Sequence, residues 1–473
     1  MSSKSTNQHP SFPVSQISLP VTLTLSVLAT LLVGPVAVTP AATPDIPSFE
    51  PAGGGGNFHT LVVNDVSGHE QEGDVYVGGT NTIYQLSKDL ELRHKYVSGP
   101  AECSEDEVGC DSGAMNNDFK VLAVSSRKGM MLACGTMDHG VCTMHSLVNV
   151  NKSQGLLGND VQRYVGSRKT SLLLLGDDKI DKGQEVADVF FEYDGRDIDF
   201  TPVTFTQRIL KLDASKYDLR YAKKDDTIQA FSGYGIDGSL IGSYYMSFVY
   251  AFEYGNFIYV VMNQQSSISI KNQDRIVIKI GRYCSGLKDA EYRTYIETEV
   301  TCKRPDSDTN YNGATAAVMA DGRLYISAIK YDGRTPSPQH GTTLCMFPME
   351  DIDNHFQENY FRCFTEDRTF GLPNRVDWNT GEMQGCQEDQ GMMDFVDNIC
   401  NAENHVPINL GVSCNGELHT KHREYEGVLM TFEEHITSLA KIKVYKTTAT
   451  VTQTLLAVGD AEGNIRKVKS HFT

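Results

Sequence analysis

Residues Met130–Ser146 read MMLACGTMDHGVCTMHS. An apolar run enters a short polar stretch holding Gly135 and Gly140, and a second apolar run leaves it. Cys134 and Cys142 sit at the two ends of that stretch, eight residues apart. Two apolar runs around a glycine-containing turn describe a β-hairpin. The same design recurs along the chain. It appears in DVYVGGTNTIYQLS (Asp74–Ser87), in FIYVVMN followed by RIVIKI (Arg275–Ile280), and in LYISAI (Leu324–Ile329) followed by TTLCMFPM. It returns in LLAVGDAEGNIRKV (Leu455–Val468), and ADVFFEYDG (Ala187–Gly195) is a weaker copy. SYYMSFVYAFEYGNFIYVVMN, Ser243–Asn263, carries Glu253, Gly255 and Asn256 in its middle and reads as a hairpin, not a membrane span.

Tyr76, Leu132, Phe190, Ile258, Tyr325 and Leu456 occupy equivalent places in these copies, with steps of 56, 58, 68, 67 and 131. The last step is about two units, so one further copy is expected within residues 363–430, which makes seven copies of about 63 residues. Strand-rich units at a regular spacing indicate a β-propeller, because a small sheet cannot bury both faces alone and a ring of sheets supplies the missing contacts. The expected fold is therefore all-β, a seven-bladed propeller.

The 473-residue chain carries a formal charge of −18, which argues against nucleic acid or anionic lipid as partner. Lys4 and His9 precede an apolar stretch, Leu19–Val38, and small residues and prolines follow it. This pattern reads as a secretory signal over residues 1–44, with a signal anchor as the alternative. A Pro- and Gly-rich linker over 45–57 leads into the folded domain, 58–473. The eleven cysteines contain no C-x-x-C pair, and an exported chain with many spaced cysteines forms disulfides. Cys134 and Cys142 then staple neighbouring strands, and the odd total leaves at least one cysteine free or paired outside the chain. Asn151 heads the N-K-S glycosylation sequon.

Other motifs carry little chemistry. GYGIDG (Gly233–Gly238) matches a dinucleotide fingerprint, but the residues after it read as strand where that site needs a helix. DDKIDKGQE (Asp177–Glu185) and DGRDIDF (Asp194–Phe200) gather carboxylates without the spacing of a calcium loop, and read as solvated turns. HTKH (His419–His422) lacks a third ligand. No catalytic residue, cofactor site or metal ligand is assigned.

Taken in order, VYVGGTNTIYQLS, VSGPAECSEDEVGC, LLACGTMDHGVC, YCSGLKDAEYRTYIETEVTC, TTLCMFPMEDI, DFVDNIC and LLAVGDAEGNIRKV resemble the sema domain of the plexins, over about residues 58 to 470. The resemblance implies a seven-bladed propeller with bridges Cys103–Cys110, Cys134–Cys142, Cys284–Cys400, Cys302–Cys345 and Cys363–Cys386. Cys414 is left unpaired. It further implies an extracellular, non-enzymatic receptor module that binds the sema domain of a semaphorin, and it leaves self-association or a co-receptor open. Membrane attachment would come only through segments absent from this chain. Gln387, Glu388 and Asp389, just past Cys386, are the expected partner-facing residues. Rival readings are a semaphorin, a scatter-factor-receptor-like sema protein, and a secreted propeller hydrolase or glycan-binding protein.

Overall fold

The computed structural model describes Phe49 and residues 58–64, 68–102, 114–125, 128–137, 140–156, 171–177, 185–192, 203–213, 216–221, 233–236, 245–265, 275–285, 296–303, 309–337, 340–365, 375–377, 400, 424–425, 428–448, 451–460 and 465–472. The proposed signal and linker, apart from Phe49, lie outside these residues.

Six sheets of three or more strands, antiparallel apart from one short parallel pair, succeed one another among the described residues. Sheet 1 holds Phe58–Val63, Val75–Gly79, Thr82–Leu86 and Leu92–Val97. Sheet 2 holds Val121–Ser125, Met130–Cys134, Cys142–Ser146 and Ser153–Gly155. Sheet 3 is built on Ser171–Asp177, Glu185–Phe191 and Val203–Asp213, with Gly233–Ile236 and Arg375–Asp377 beyond them. Sheet 4 runs through Met246–Tyr254, Phe257–Gln265, Ile276–Cys284 and Ile296–Lys303. Sheet 5 runs through Gly313–Ala320, Arg323–Ile329, Thr342–Pro348 and Val428–Phe432. Sheet 6 has Ile436–Thr448, Val451–Asp460 and Ile465–Phe472.

The six residues used to count the repeat all fall on the second strand of their sheets, and none is more than 5% exposed. Their burial follows from the pattern of that strand. Successive side chains point to opposite faces, and in sheets 2 to 5 both sets are largely apolar, so the strand faces a neighbouring sheet on each side. Tyr325 joins Val318, Leu344, Leu456 and Val458 between sheets 5 and 6. Its neighbours Leu324 and Ile326 join Tyr259, Val261 and Ile280 between sheets 4 and 5. Phe190 packs with Phe248 and Tyr283 between sheets 3 and 4. Val189 packs with Leu132 and Met144 between sheets 2 and 3, and Tyr76 with Leu122 and Met131 between sheets 1 and 2. The result is a propeller-like succession of blades in which the first strands of adjacent sheets lie together.

The copy expected within 363–430 is not among the described sheets. Val428–Phe432 completes sheet 5 by pairing with Thr342–Pro348, Arg375–Asp377 joins sheet 3, and Glu424–Tyr425 lies parallel to Ile296–Lys303 of sheet 4. The long step of the repeat is thus an insertion inside sheet 5, between its third and fourth strands. Period counting cannot separate an insertion from a further repeat, because both lengthen one step.

The hairpin expected over Ser243–Asn263 forms as Met246–Tyr254 against Phe257–Gln265, with Gly255 at φ +62° in the turn. Gly233–Ile236 is itself a strand, paired on both sides, which leaves no helix N-terminus at the start of the GYGIDG stretch. Glu185, the last residue of DDKIDKGQE, is structural. Its buried carboxylate accepts from Ser125 Oγ at 2.7 Å and pairs with Lys128, joining sheets 2 and 3.

His145 reports on the seam between sheets 1 and 2. Its Nδ1 donates to Val150 O, the Thr143 hydroxyl donates to its Nε2, both at 2.8 Å, and the Tyr96 ring from sheet 1 lies 4.6 Å away. Burial holds the imidazole below its ordinary pKa, with the Val150 bond partly opposing. The unfolded chain therefore takes up this proton before the folded chain does, and stability falls as pH drops below about 6.5. In His145→Asn, whose amide can still donate to Val150, the urea midpoint should decline less between pH 7 and pH 5 than in the parent. An equal decline would remove His145 as a cause.

Candidate functional site: the anchored insertion

The insertion leaves sheet 5 after Pro348 as helix α1, Met349–Thr365. Glu350 and Asp351 lie in its first turn, where carboxylates complement the helix dipole. Met349, Ile352 and Phe356 follow helical spacing and are buried in the cluster shared by sheets 4 and 5. The Met349 amide also donates to Gly322 O at 3.0 Å, which fixes where the helix departs.

Arg282 clamps this helix to sheet 4. Its guanidinium lies 4.1 Å from the Phe257 ring centroid and 4.5 Å from that of Phe356, so it is sandwiched between a strand residue and a helix residue. Nη1 reaches Asp353 Oδ1 at 3.2 Å. The Tyr259 hydroxyl donates to the same carboxylate oxygen, and burial pushes its phenol well above the ordinary value, so it remains a donor. Arg282 is 2% exposed. A cation so deeply buried needs both the carboxylate and the aromatic faces to offset its lost hydration. A planar guanidinium fits between two rings in a way that an ammonium does not.

Two disulfides frame the clamp. Cys302–Cys345 joins sheet 4 to sheet 5 with a Cα separation of 6.0 Å. Cys284–Cys400 ties the far part of the insertion back to the end of a sheet 4 strand, at 5.3 Å. Cys134–Cys142 pairs residues directly opposite across the sheet 2 hairpin, at 4.0 Å. These bridges close loops of 43, 116 and 8 residues. In the chain-entropy account they stabilise by about 4, about 5 and about 2.5 kcal/mol respectively.

Cys103, Cys110, Cys386, Gln387, Glu388, Asp389 and Cys414 lie outside the described residues, as does the Cys363 side chain. Asn151 is exposed in the turn between Cys142–Ser146 and Ser153–Gly155. The sequence reading missed Arg282, Asp353, Tyr259 and Phe356. A lone arginine inside the apolar strand IVIKIGRYC was the available signal, since such a residue must find partners when its strand is buried.

A separate polar cleft of about 520 Å³ opens beside sheets 4 and 5, lined by Arg275, Thr309, Asn310, Asn312, Lys330 and Tyr331. Its two cations pair with Glu299 and Asp332, each at 3.3 Å. No carboxylate is among the lining residues, whereas glycoside hydrolysis generally uses two flanking one sugar. Among the described residues no group of three His, Cys, Asp or Glu side chains could hold a metal ion. None of their helices is long and apolar enough to cross a membrane.

No family model matches the chain. Mouse plexin-A4 is 23% identical over 491 residues, covering 95% of this chain and 24% of the relative. Mouse plexin-B2 is 25% identical over 322 residues, covering 65% of this chain and 17% of the relative. The chain therefore spans about a fifth of the length of these relatives. Among solved structures, the full extracellular region of plexin A4 superposes with a TM-score of 0.67 at 19% identity, covering 87% of this chain and 45% of that one. Drosophila semaphorin 1a, extracellular domains 1–2, superposes with a TM-score of 0.51 at 17% identity, covering 87% of this chain and 75% of that one.

Removing Arg282 empties the space between the Phe257 and Phe356 rings and takes the cation from Asp353, whose side chain is 32% exposed. Arg282→Ala should destabilise the chain by about 2 kcal/mol, through the lost cation–π contacts and packing. Arg282→Lys should recover only part of that loss, and both variants should be cleaved faster within residues 349–427 in limited proteolysis. Full recovery by lysine would show that charge alone matters and that the sandwich does not.

Proposed function

We propose that the folded part of this chain is a sema domain of the plexin family, and that it is the extracellular ligand-recognition module of a semaphorin receptor. Its partner is the sema domain of a semaphorin, and the role is recognition in cell guidance, adhesion and migration. The observation that carries this reading is the superposition on the plexin A4 extracellular region over 87% of the chain. The sequence matches with plexins across most of the chain support the receptor over the ligand. The module works by contact and uses no cofactor. It acts in secreted form or at the outer face of the plasma membrane, after a secretory signal over residues 1–44 and a linker over 45–57. Self-association and a co-receptor are compatible with this role.

The insertion suits partner binding. It is a long segment carried on a rigid scaffold, held at its base by α1, the Arg282 clamp and Cys284–Cys400. Loops so anchored keep their ordering cost low on binding. Glu388 and Asp389 would present negative charge to a basic patch on the semaphorin, with the neutral Gln387 beside them as a hydrogen-bonding contact. Cys103–Cys110 and Cys363–Cys386 complete the disulfide set, Cys414 stays unpaired, and Asn151 carries an N-linked glycan on its exposed turn. The propeller has seven blades, of which sheets 1 to 6 are six.

Binding of the secreted chain to immobilised semaphorin sema domains tests the reading. Measurable saturable binding to at least one is expected. Glu388→Lys with Asp389→Lys should lower its association rate roughly tenfold at low salt, and by less at high salt. A correctly disulfide-bonded chain that binds no semaphorin would overturn the assignment. Asn151→Gln should abolish one mass step sensitive to a peptide N-glycosidase; a step that persists would place the glycan elsewhere.

A further inference from the structure

The polar cleft beside sheets 4 and 5 lies where three segments meet. Arg275 precedes the third strand of sheet 4, residues 309–312 lead from sheet 4 into sheet 5, and Lys330 and Tyr331 follow the second strand of sheet 5. Register places Ile329 opposite Gly313 and Thr342 at this end of sheet 5, and Arg323 opposite Ala320 and Pro348 at the other. Helix α1 departs from that other end. The cleft is therefore separate from the Arg282 clamp and from the start of the insertion.

Its own bonds hold the cleft in shape. The Asn312 amide donates to Ile276 O at 2.8 Å, and its Oδ1 accepts from the Tyr331 backbone N–H at 2.7 Å, which ties sheet 4 to the loop beyond Ile329. That loop is a small hairpin, Tyr331–Asp332 against Thr335–Pro336, with Gly333 at φ +64° in its turn. Arg334 donates from the hairpin to Gln265 Oε1 of sheet 4 at 3.1 Å. The Tyr331 ring lies directly on Gly313, where an added Cβ would fall inside the ring. Its hydroxyl is hydrogen-bonded to that of Tyr245, and burial pushes the phenol well above its ordinary value, so it stays neutral. A site fixed in this way loses little freedom when a ligand enters.

The lining defines the occupant. Arg275 and Lys330 bring positive charge, and no carboxylate lines the cleft. Their partners are poor competitors for a ligand: Arg275 is 52% exposed in its pair with Glu299, and Asp332 is 63% exposed in its pair with Lys330. Such exposed pairs contribute about 0–1 kcal/mol, so an incoming anion can take either cation at little cost. Lys330 Nζ also lies 3.3 Å from His340 Nε2. Thr309 and Asn310 add neutral hydrogen-bonding groups of both senses, and Asn310 Oδ1 is buried with no hydrogen-bond partner among the described residues. The volume of about 520 Å³ is that of a small-ligand site. A sugar ring bearing an acid group uses all of these features: its acid meets the guanidinium or ammonium, its hydroxyls meet the amide and hydroxyl groups, and its C–H face meets the tyrosine ring. A bare inorganic anion would use only the cations. We propose that this cleft binds a short acidic saccharide, carrying carboxylate or sulfate groups, at a site distinct from the anchored insertion. The chain's formal charge of −18 repels a long polyanion beyond the cleft, which confines recognition to a few sugar units and makes it salt-sensitive. The inference goes beyond semaphorin recognition and does not depend on it.

Isothermal titration of the secreted chain with a heparin-derived tetrasaccharide tests this, with maltotetraose, tetraglutamate and sodium sulfate as comparison probes. The tetrasaccharide should bind once per chain at about 50 mM salt and several-fold more weakly at about 300 mM. Each comparison probe should bind at least about tenfold more weakly than the tetrasaccharide. Arg275→Ala combined with Lys330→Ala should weaken tetrasaccharide binding by more than about tenfold while the thermal midpoint stays at the parent's, since both side chains reach solvent. Tyr331→Leu, which keeps the cations and removes the ring, should weaken it several-fold. Equal binding of sulfate would reduce the cleft to an anion site. Equal binding of tetraglutamate would assign it to acidic peptides, and equal binding of maltotetraose would remove the role of charge. Each of these results would overturn the proposal, as would tetrasaccharide binding that the double variant retains, or none at all. Semaphorin binding is read in its own assay, so a chain that binds semaphorin and no saccharide overturns this inference alone.

Discussion

Sheet-on-sheet burial is the constraint on which the rest depends. The second strands of sheets 2 to 5 are largely apolar on both faces, and a lone sheet would leave both in water. At about 25 cal/mol per Å², the sum over five shared clusters is the main term holding the domain together. The polar groups within these walls are tied into them. Asn263 receives the Ala314 amide and donates to its carbonyl, at 2.7 and 2.8 Å, which joins sheet 4 to sheet 5. Glu297 takes a proton donor from Gln264 and pairs with Lys279 within sheet 4. Buried polar atoms satisfied across a seam fix the register of neighbours as well as their contact.

That scaffold makes the insertion useful. A segment of this length hanging from one sheet edge would sample many conformations and lose that freedom on binding. Here its first turns are buried by Met349, Ile352 and Phe356, and its far part is returned to sheet 4 by Cys400. Cys302–Cys345 keeps the two supporting sheets together beneath it. Sulfur links and the Arg282 sandwich thus act where hydrophobic stacking is interrupted, at the point where the chain leaves its repeat.

Much of the fold was legible because it follows from short-range pattern. Apolar strands around glycine turns located all six sheets, and the residues chosen from that pattern are the buried centres of each. The site was less legible for reasons that differ by residue. The long final step of the repeat has two readings until pairing is known, and Val428–Phe432 decides for an insertion. Helix α1 carried a signal, with acidic residues after Pro348 and apolar residues at helical spacing, but it was read together with the preceding strand as one motif. Arg282 and Asp353 are 71 residues apart, and no local rule pairs them.

Native-state hydrogen exchange of the central strands tests the dependence of each sheet on its neighbours most directly. The account predicts that amides in Val75–Gly79, Met130–Cys134, Glu185–Phe191, Phe257–Gln265, Arg323–Ile329 and Val451–Asp460 open together, with closely similar opening free energies that fall in parallel with added denaturant. Sheets that exchange independently, each with its own free energy and denaturant dependence, would contradict it.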